Sequence, residues 1–156
     1  MDIKKFPSLS VVYKTEVVCP NDTNPMGILQ GGRLVQWMDI AAAVCAQIHS
    51  NKICVTASID AVSFMNPASV GNIISIEAKI CRAFTSSMEI LVKAWSRNVF
   101  ETEKQLISES FFTFVALDEG GKPTAVIHVN PVTSAECEQY EMSSQRKKIK
   151  DKHKTP

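Results

Sequence analysis

No cysteine pattern in this chain supports a crosslinked or metal-stapled fold. Its five cysteines, at 19, 45, 54, 81 and 137, are odd in number and contain no C-x-x-C pair. That argues against a disulfide framework and against a zinc site, and leaves buried free thiols in a reducing compartment as the simpler account. His49, His128 and His153 are scattered without ligand spacing, so no metal is expected. There is no G-x-S-x-G elbow, no Walker loop and no G-x-G-x-x-G, which removes three common hydrolase and nucleotide-binding readings. No apolar run is long enough to span a bilayer, and the opening MDIKKFP leads into alternating residues rather than an apolar block. The expectation is a cytoplasmic protein with no leader and no membrane partner.

What is present is ordinary in bulk and uneven in detail. A length of 156 residues with 45% hydrophobic and 21% charged residues fits one globular domain. The net charge of +1 hides a split, because residues 145–156 hold six basic groups and one acid, leaving 11 basic and 15 acidic residues over 1–144. An acidic body argues against nucleic acid as the main partner. The basic end reads as a solvated, frayed terminus, with contact to RNA or anionic lipid as the sharper alternative.

The coarse pattern places one helix among strands. β-branched residues over 9–18 predict a strand. A loop rich in Pro, Asn, Asp and Gly follows, and three of the six glycines fall between 27 and 32. Residues 33–49 lack Pro and Gly and predict a helix roughly 25 Å long. It is apolar on nearly every side, as a helix surrounded by other structure is. Strands are predicted over 53–64, 73–84, 88–99 and 105–117, with clean alternation in Ile74, Ile76, Ala78 and Ile80. A curved antiparallel sheet wrapped around the helix satisfies this order, and its outer face then needs a cover such as a second subunit. Residues 1–133 are read as the domain and 134–156 as a charged tail, partly helical or disordered.

Three features could carry chemistry. Asp39 is a carboxylate inside an apolar helix, which is costly without a partner. It is either a group facing a watery gap or a general base or nucleophile. Gly31 and Gly32 stand at the helix start, where free N–H groups suit a developing oxyanion, although a tight turn explains them equally well. Asn24 either forms an Asx-turn or orients water or a carbonyl. Cys45 and His49, four apart on the helix, form a further nucleophile and base pair that lacks an orienting third group.

Together these residues lie in NDTNPMGILQGGRLVQWMD over 21–39, which resembles the acyl-CoA thioesterase family of hot-dog proteins, the bacterial broad-range and brain-type cytosolic acyl-CoA hydrolases. Further matches are FMNPASVG over 64–71, SSME over 86–89 and FTFVALD over 112–118, so the resemblance covers roughly 10–130. It implies an α+β hot-dog fold, a curved antiparallel sheet around one long central helix, in homo-oligomers that are at least dimers and commonly trimers of dimers. It implies hydrolysis of acyl-CoA thioesters in fatty-acid metabolism, with no cofactor beyond the CoA of the substrate. Asn24 and Asp39 take the catalytic positions, Gly31 and Gly32 the oxyanion site. CoA contacts are expected at Asn66, Ser86 and Ser87. Thr85 stands where members often carry Arg, so Arg82, or Arg97, is the candidate phosphate partner, and Gln30 replaces a usual His or aromatic. A non-catalytic acyl-CoA-binding regulator or carrier is the other reading. A hot-dog dehydratase is disfavoured by the missing histidine on the loop or helix start. Seven residues separate Gly32 from Asp39, or about 10 Å of helix, so the expected site joins two subunits.

Overall fold

The computed structural model describes residues 3–154. In chain order the elements are β1 (Lys4–Lys5), β2 (Val12–Val17), α1 (Gly31–Ser50), β3 (Ile53–Ile59), β4 (Ser63–Phe64), β5 (Ile73–Ala83), β6 (Ser87–Arg97), β7 (Gln105–Leu117), β8 (His128–Val129) and α2 (Ser134–Lys154). The main sheet runs β2-β5-β6-β7-β3 with every pair antiparallel, and β4 pairs with the early part of β7. This is the hot-dog arrangement.

The alternation in β5 becomes a buried inner row of Ile74, Ile76, Ala78 and Ile80, continued by Ile90, Val92 and Ala94 of β6 and Phe112, Phe114 and Ala116 of β7. α1 lies in the resulting trough. It presents Leu34, Trp37, Met38, Ala41, Ala42, Cys45 and Ala46, and its alanines let helix and sheet approach closely. Bulges between Thr56 and Ser58, Ile80 and Arg82, and Ala94 and Trp95 bend the strands around it. At the far end Asn51 adopts a left-handed cap at φ 55, and the Lys5 ammonium donates to Ile48 O at 2.7 Å, where the helix dipole favours a cation.

Three expectations need correction. The strand anticipated over 53–64 is two pieces, β3 and β4, parted at residues 60–62, where the Asp60 carboxylate pairs with Lys150 of α2 at 2.9 Å. α1 is not enclosed on all sides. Ile40, Val44 and Ile48 form an apolar stripe at four-residue spacing, 38–44% exposed, beside the open edge of β3, where Ile53, Val55 and Ile59 are exposed too. Finally, the basic end is a docked helix rather than a frayed terminus. α2 crosses the outer face of the sheet, so much of that face is covered from within the chain. Arg146 pairs with the buried Glu89 at 2.6 Å and stacks on Phe111. Lys79 pairs with Glu136 at 3.0 Å, and Arg82 stacks on Tyr140.

Candidate active site

The loop feeding α1 is held by two short polar side chains. Asp22 accepts the Cys19 N–H at 2.9 Å and pairs with Arg33 Nε at 3.2 Å, tying the loop to the first turn of the helix. Asn24 accepts the N–H groups of Met26 at 2.9 Å and Ile28 at 3.2 Å through Oδ1. Gly27, at φ +76, completes this turn in a conformation that favours glycine. The Asx-turn reading of Asn24 therefore holds, and it leaves a use for the rest of the side chain. With the oxygen engaged, only the Nδ2 amide is available, as a donor.

The helix start is uncapped. Gln30 occupies the N-cap position, but its amide donates to Thr23 O at 2.9 Å and no side chain caps the first turn. The first N–H groups of α1 thus keep their hydrogen-bonding capacity and partial positive charge. The two glycines differ. A Cβ on Gly31 would lie 2.8 Å from Cζ of Phe64, so that bare α-carbon serves the close approach of the ring. A Cβ on Gly32 would have nothing within 4 Å, so the approach from solvent is open there. Beside this turn is a cavity of about 440 Å³ with largely apolar walls, among them Leu34, Phe64, Met65 and Ile107.

Asp39 lies elsewhere. It is half-buried on α1, and its Oδ1 accepts the Thr56 hydroxyl at 2.8 Å. Eight residues of helix separate it from Gly31, or about 12 Å along the axis. One chain does not bring its own Asp39 to its own helix start. Thr56 went unread in the sequence, since a threonine in a β-branched strand is an ordinary residue.

The candidate CoA contacts are dispersed. Asn66 lines the cavity, with Nδ2 donating to Leu106 O at 2.9 Å. Ser86 and Ser87 form the β5–β6 turn, where Ser86 O accepts Ala116 N–H at 3.0 Å and Ser87 O accepts Phe84 N–H at 2.8 Å. Arg82 donates to Tyr140 O at 3.1 Å and is engaged by α2, while Arg97 donates to Glu101 O at 2.7 Å. Neither arginine is at the helix start.

The Cys45–His49 pair is not a nucleophile and base. Burial pushes the Cys45 thiol up to about 12. Burial likewise holds His49 below its ordinary value, and its Nε2 is engaged by Ile127 O at 2.7 Å. Among the described residues no cluster of three or more His, Cys, Asp or Glu is placed to hold a metal ion.

Comparison with known proteins bears on this arrangement. Residues 26–99 match the thioesterase superfamily. The chain is 38% identical over 142 residues to an uncharacterised acyl-CoA thioester hydrolase of Bacillus subtilis, covering 91% of this chain and 83% of the relative. It is 35% identical over 145 residues to the acetyl-coenzyme A thioesterase of Mus musculus, but spans only 26% of that longer protein. A crystal structure of an apo-hexameric acyl-CoA thioesterase superimposes at TM-score 0.93 with 38% identity, covering 97% of each chain. An acyl-CoA hydrolase of Staphylococcus aureus, in a variant bound to coenzyme A, superimposes at TM-score 0.91 with 37% identity over 96% of this chain and 90% of that one. That hydrolase has been solved with one asparagine, one aspartate and one threonine each replaced by alanine, at successive spacings of 15 and 17 residues. Asn24, Asp39 and Thr56 have the same spacings.

Proposed function

The chain belongs to the acyl-CoA thioester hydrolases of the thioesterase superfamily, and from that premise we propose how its residues cleave the thioester. The substrate is an acyl-CoA, and water converts it to a carboxylic acid and free CoA thiol. The carbonyl oxygen accepts hydrogen bonds from the uncapped first turn of α1 at Gly31 and Gly32, where the negative charge of the tetrahedral intermediate develops. The Asn24 Nδ2 amide, the free half of a side chain whose oxygen is fixed in the turn, orients the carbonyl or the water. Asp39 takes a proton from water or attacks the carbonyl itself, and Thr56 holds its carboxylate in place. Thiolate is a good leaving group and asks for no strong acid.

Asp39 reaches the carbonyl from a second copy of the chain. The open β3 edge and the Ile40, Val44, Ile48 stripe are the surfaces that copy covers, giving a dimer. A trimer of dimers follows by likeness to the hexameric neighbour. In this reading residues 1–133 are the catalytic hot-dog domain and 134–156 an appended segment. No cofactor is required, neither nucleic acid nor membrane is a partner, and the free thiols suit the cytoplasm. Ser86 and Ser87 stay candidates for CoA contact, whereas the Asn66 amide is committed to Leu106 O and Arg82 to α2.

One observation carries this reading. A turn that fixes Asn24, an uncapped helix start and an Asp39–Thr56 pair occur at the residue spacing singled out in a coenzyme-A-binding relative. The test is thiol release from acetyl-, butyryl- and palmitoyl-CoA. The Asp39→Asn protein should lose a factor of about 10² or more in kcat. Mixed oligomers of Asn24→Ala and Asp39→Ala subunits should regain activity. No recovery in verified mixed oligomers would sink the shared site, and binding without thiol release would make the protein a carrier instead.

A further inference from the structure

The cavity beside the helix start has no occupant in the reaction as written, since neither Asn24 nor Asp39 lines it. Its volume of about 440 Å³ lies within the range of small-molecule sites. Gly31 and Leu34 place one wall on the first turn of α1, so the cavity is continuous with the point where the thioester carbonyl is held. A thioester has two arms. The pantetheine arm carries two amides and leads to charged phosphates, and the acyl arm of a simple fatty acyl-CoA is hydrocarbon. No charged side chain lines the cavity, and the amide nitrogen of its one polar side chain, Asn66, already donates to Leu106 O at 2.9 Å. Amides buried there would lack partners, whereas a hydrocarbon chain would lose nothing.

Phe64 controls the space. Its ring tip lies against Gly31, where a Cβ would be only 2.8 Å away, so nothing passes between ring and helix. The side chain sits on the two-residue strand β4 and is 56% exposed, so core packing does not pin it. We propose that this cavity is the acyl-chain pocket and that Phe64, seated on Gly31, sets the longest chain it admits. The inference rests on the thioesterase reading. Each methylene that enters the pocket should raise kcat/KM about fourfold until the ring blocks the next one.

The test measures kcat/KM for even-numbered acyl-CoAs from acetyl to palmitoyl in the wild type and in Phe64→Ala, Phe64→Leu and Phe64→Trp, with inhibition by free CoA measured alongside. Phe64→Ala and Phe64→Leu should move the optimum to longer chains and raise the octanoyl-to-acetyl ratio about fifteenfold, as two more buried methylenes would. Phe64→Trp should move the optimum the other way. Inhibition by free CoA, which has no acyl arm, should stay unchanged. An unaltered chain-length profile in the folded variants overturns the pocket assignment, as does a change in CoA inhibition that accounts for the whole effect. A wild-type protein that releases no thiol from any acyl-CoA overturns the thioesterase reading itself. The leucine and tryptophan variants keep the test decisive if the alanine variant does not fold.

Discussion

Replacing Gly31 by alanine puts a carbon 2.8 Å from Cζ and 3.2 Å from both Cε atoms of Phe64. Carbon atoms prefer about 3.5–4.0 Å, so roughly 0.7–1.2 Å must be yielded at the closest pair. Gly31 is the first residue of α1 and the ring is half-exposed, so the ring moves and the helix does not. Overpacking costs about 1–3 kcal/mol, and a ring with somewhere to go puts this case near the lower end. Alanine regains up to about 1 kcal/mol over glycine in helix preference. The net loss of stability is therefore about 1 kcal/mol or less. Activity should suffer more, at least tenfold in kcat/KM, because the displaced ring enters the cavity and crosses the open turn. In a Phe64→Ala background the same alanine meets no ring and should be neutral or stabilising. A four-protein cycle by urea titration and thiol release should give a coupling of about 1 kcal/mol or more in stability. Additivity within about 0.5 kcal/mol would refute the ring-on-glycine contact. Gly32→Ala is the contrast. Nothing lies within 4 Å of its added carbon, so stability should hold or rise while kcat/KM falls, because the methyl occupies the approach to the first turn.

Thr56→Val removes the hydroxyl that donates to Asp39 at 2.8 Å and should lower kcat about tenfold, the scale of one hydrogen bond to a charged group. Thr56→Ser should restore it, and a serine variant as slow as valine would deny the positioning role. Arg146→Met strands the Glu89 carboxylate, whose side chain is 4% exposed, and should cost about 3 kcal/mol in urea with loss of α2 helicity by circular dichroism. Adding Glu89→Gln should recover part of that loss, and an unchanged midpoint in the single variant would mean α2 docks without this pair. Burial, assisted by the nearby Lys5 charge and opposed by the Ile127 carbonyl, keeps His49 neutral below its ordinary 6.5. The unfolded chain therefore binds the proton first as pH falls, and stability should decline below about pH 6.5 by up to about 1.4 kcal/mol per unit, with no change above it. His49→Gln should flatten the pH dependence of Tm between 5 and 7, and an equal slope in both proteins would remove His49 as its source. Val44→Glu places a charge in the exposed stripe and should abolish both assembly, by sedimentation, and thiol release, with the secondary structure intact. A monomer with wild-type turnover would refute the shared site.

The helix and the three long strands were legible because each carries its own period. Alternation from Ile74 to Ile80 fixes a strand face, and absence of Pro and Gly over 33–49 fixes a helix. What escaped depends on residues far apart in the chain. At the break after Ile59, Asp60 is paired with Lys150, which reaches it from the other end of the protein. The docking of α2 depends on Arg146 meeting Glu89, 57 residues earlier, on a strand face whose partner cannot be read from composition. A run of basic residues reads as solvated because most such runs are, and here Arg146 stacks on Phe111 and Lys147 on Phe84, while Arg82 of β5 stacks on Tyr140 of α2. At the site, Asn24 was legible as either a turn residue or a donor. The structure shows the turn, in which the oxygen accepts from Met26 and Ile28, and the donor role of the remaining amide belongs to the proposed mechanism. Thr56 was not legible, because only the fold brings β3 against the middle of α1.

Two features of α1 that looked separate constrain one another. Its buried face explains the alanines and Met38, but not why Ile40, Val44 and Ile48 repeat on the exposed side beside β3, where burying the surface each leaves exposed would stabilise the protein by about 0.6–1.3 kcal/mol. Asp39 is next to that stripe in the helix, about 12 Å along the axis from the uncapped turn that the proposed mechanism has it serve. Under the proposed mechanism a single chain has an oxyanion site without a base and a base without a carbonyl, on a helix with one apolar side uncovered. In the proposed dimer, a second copy laid on the stripe covers the apolar side and brings its own first turn toward Asp39 in the same step. In that proposed dimer the apolar burial that drives association also assembles the catalytic groups, which gives the stripe and the carboxylate one shared reason to lie on one helix.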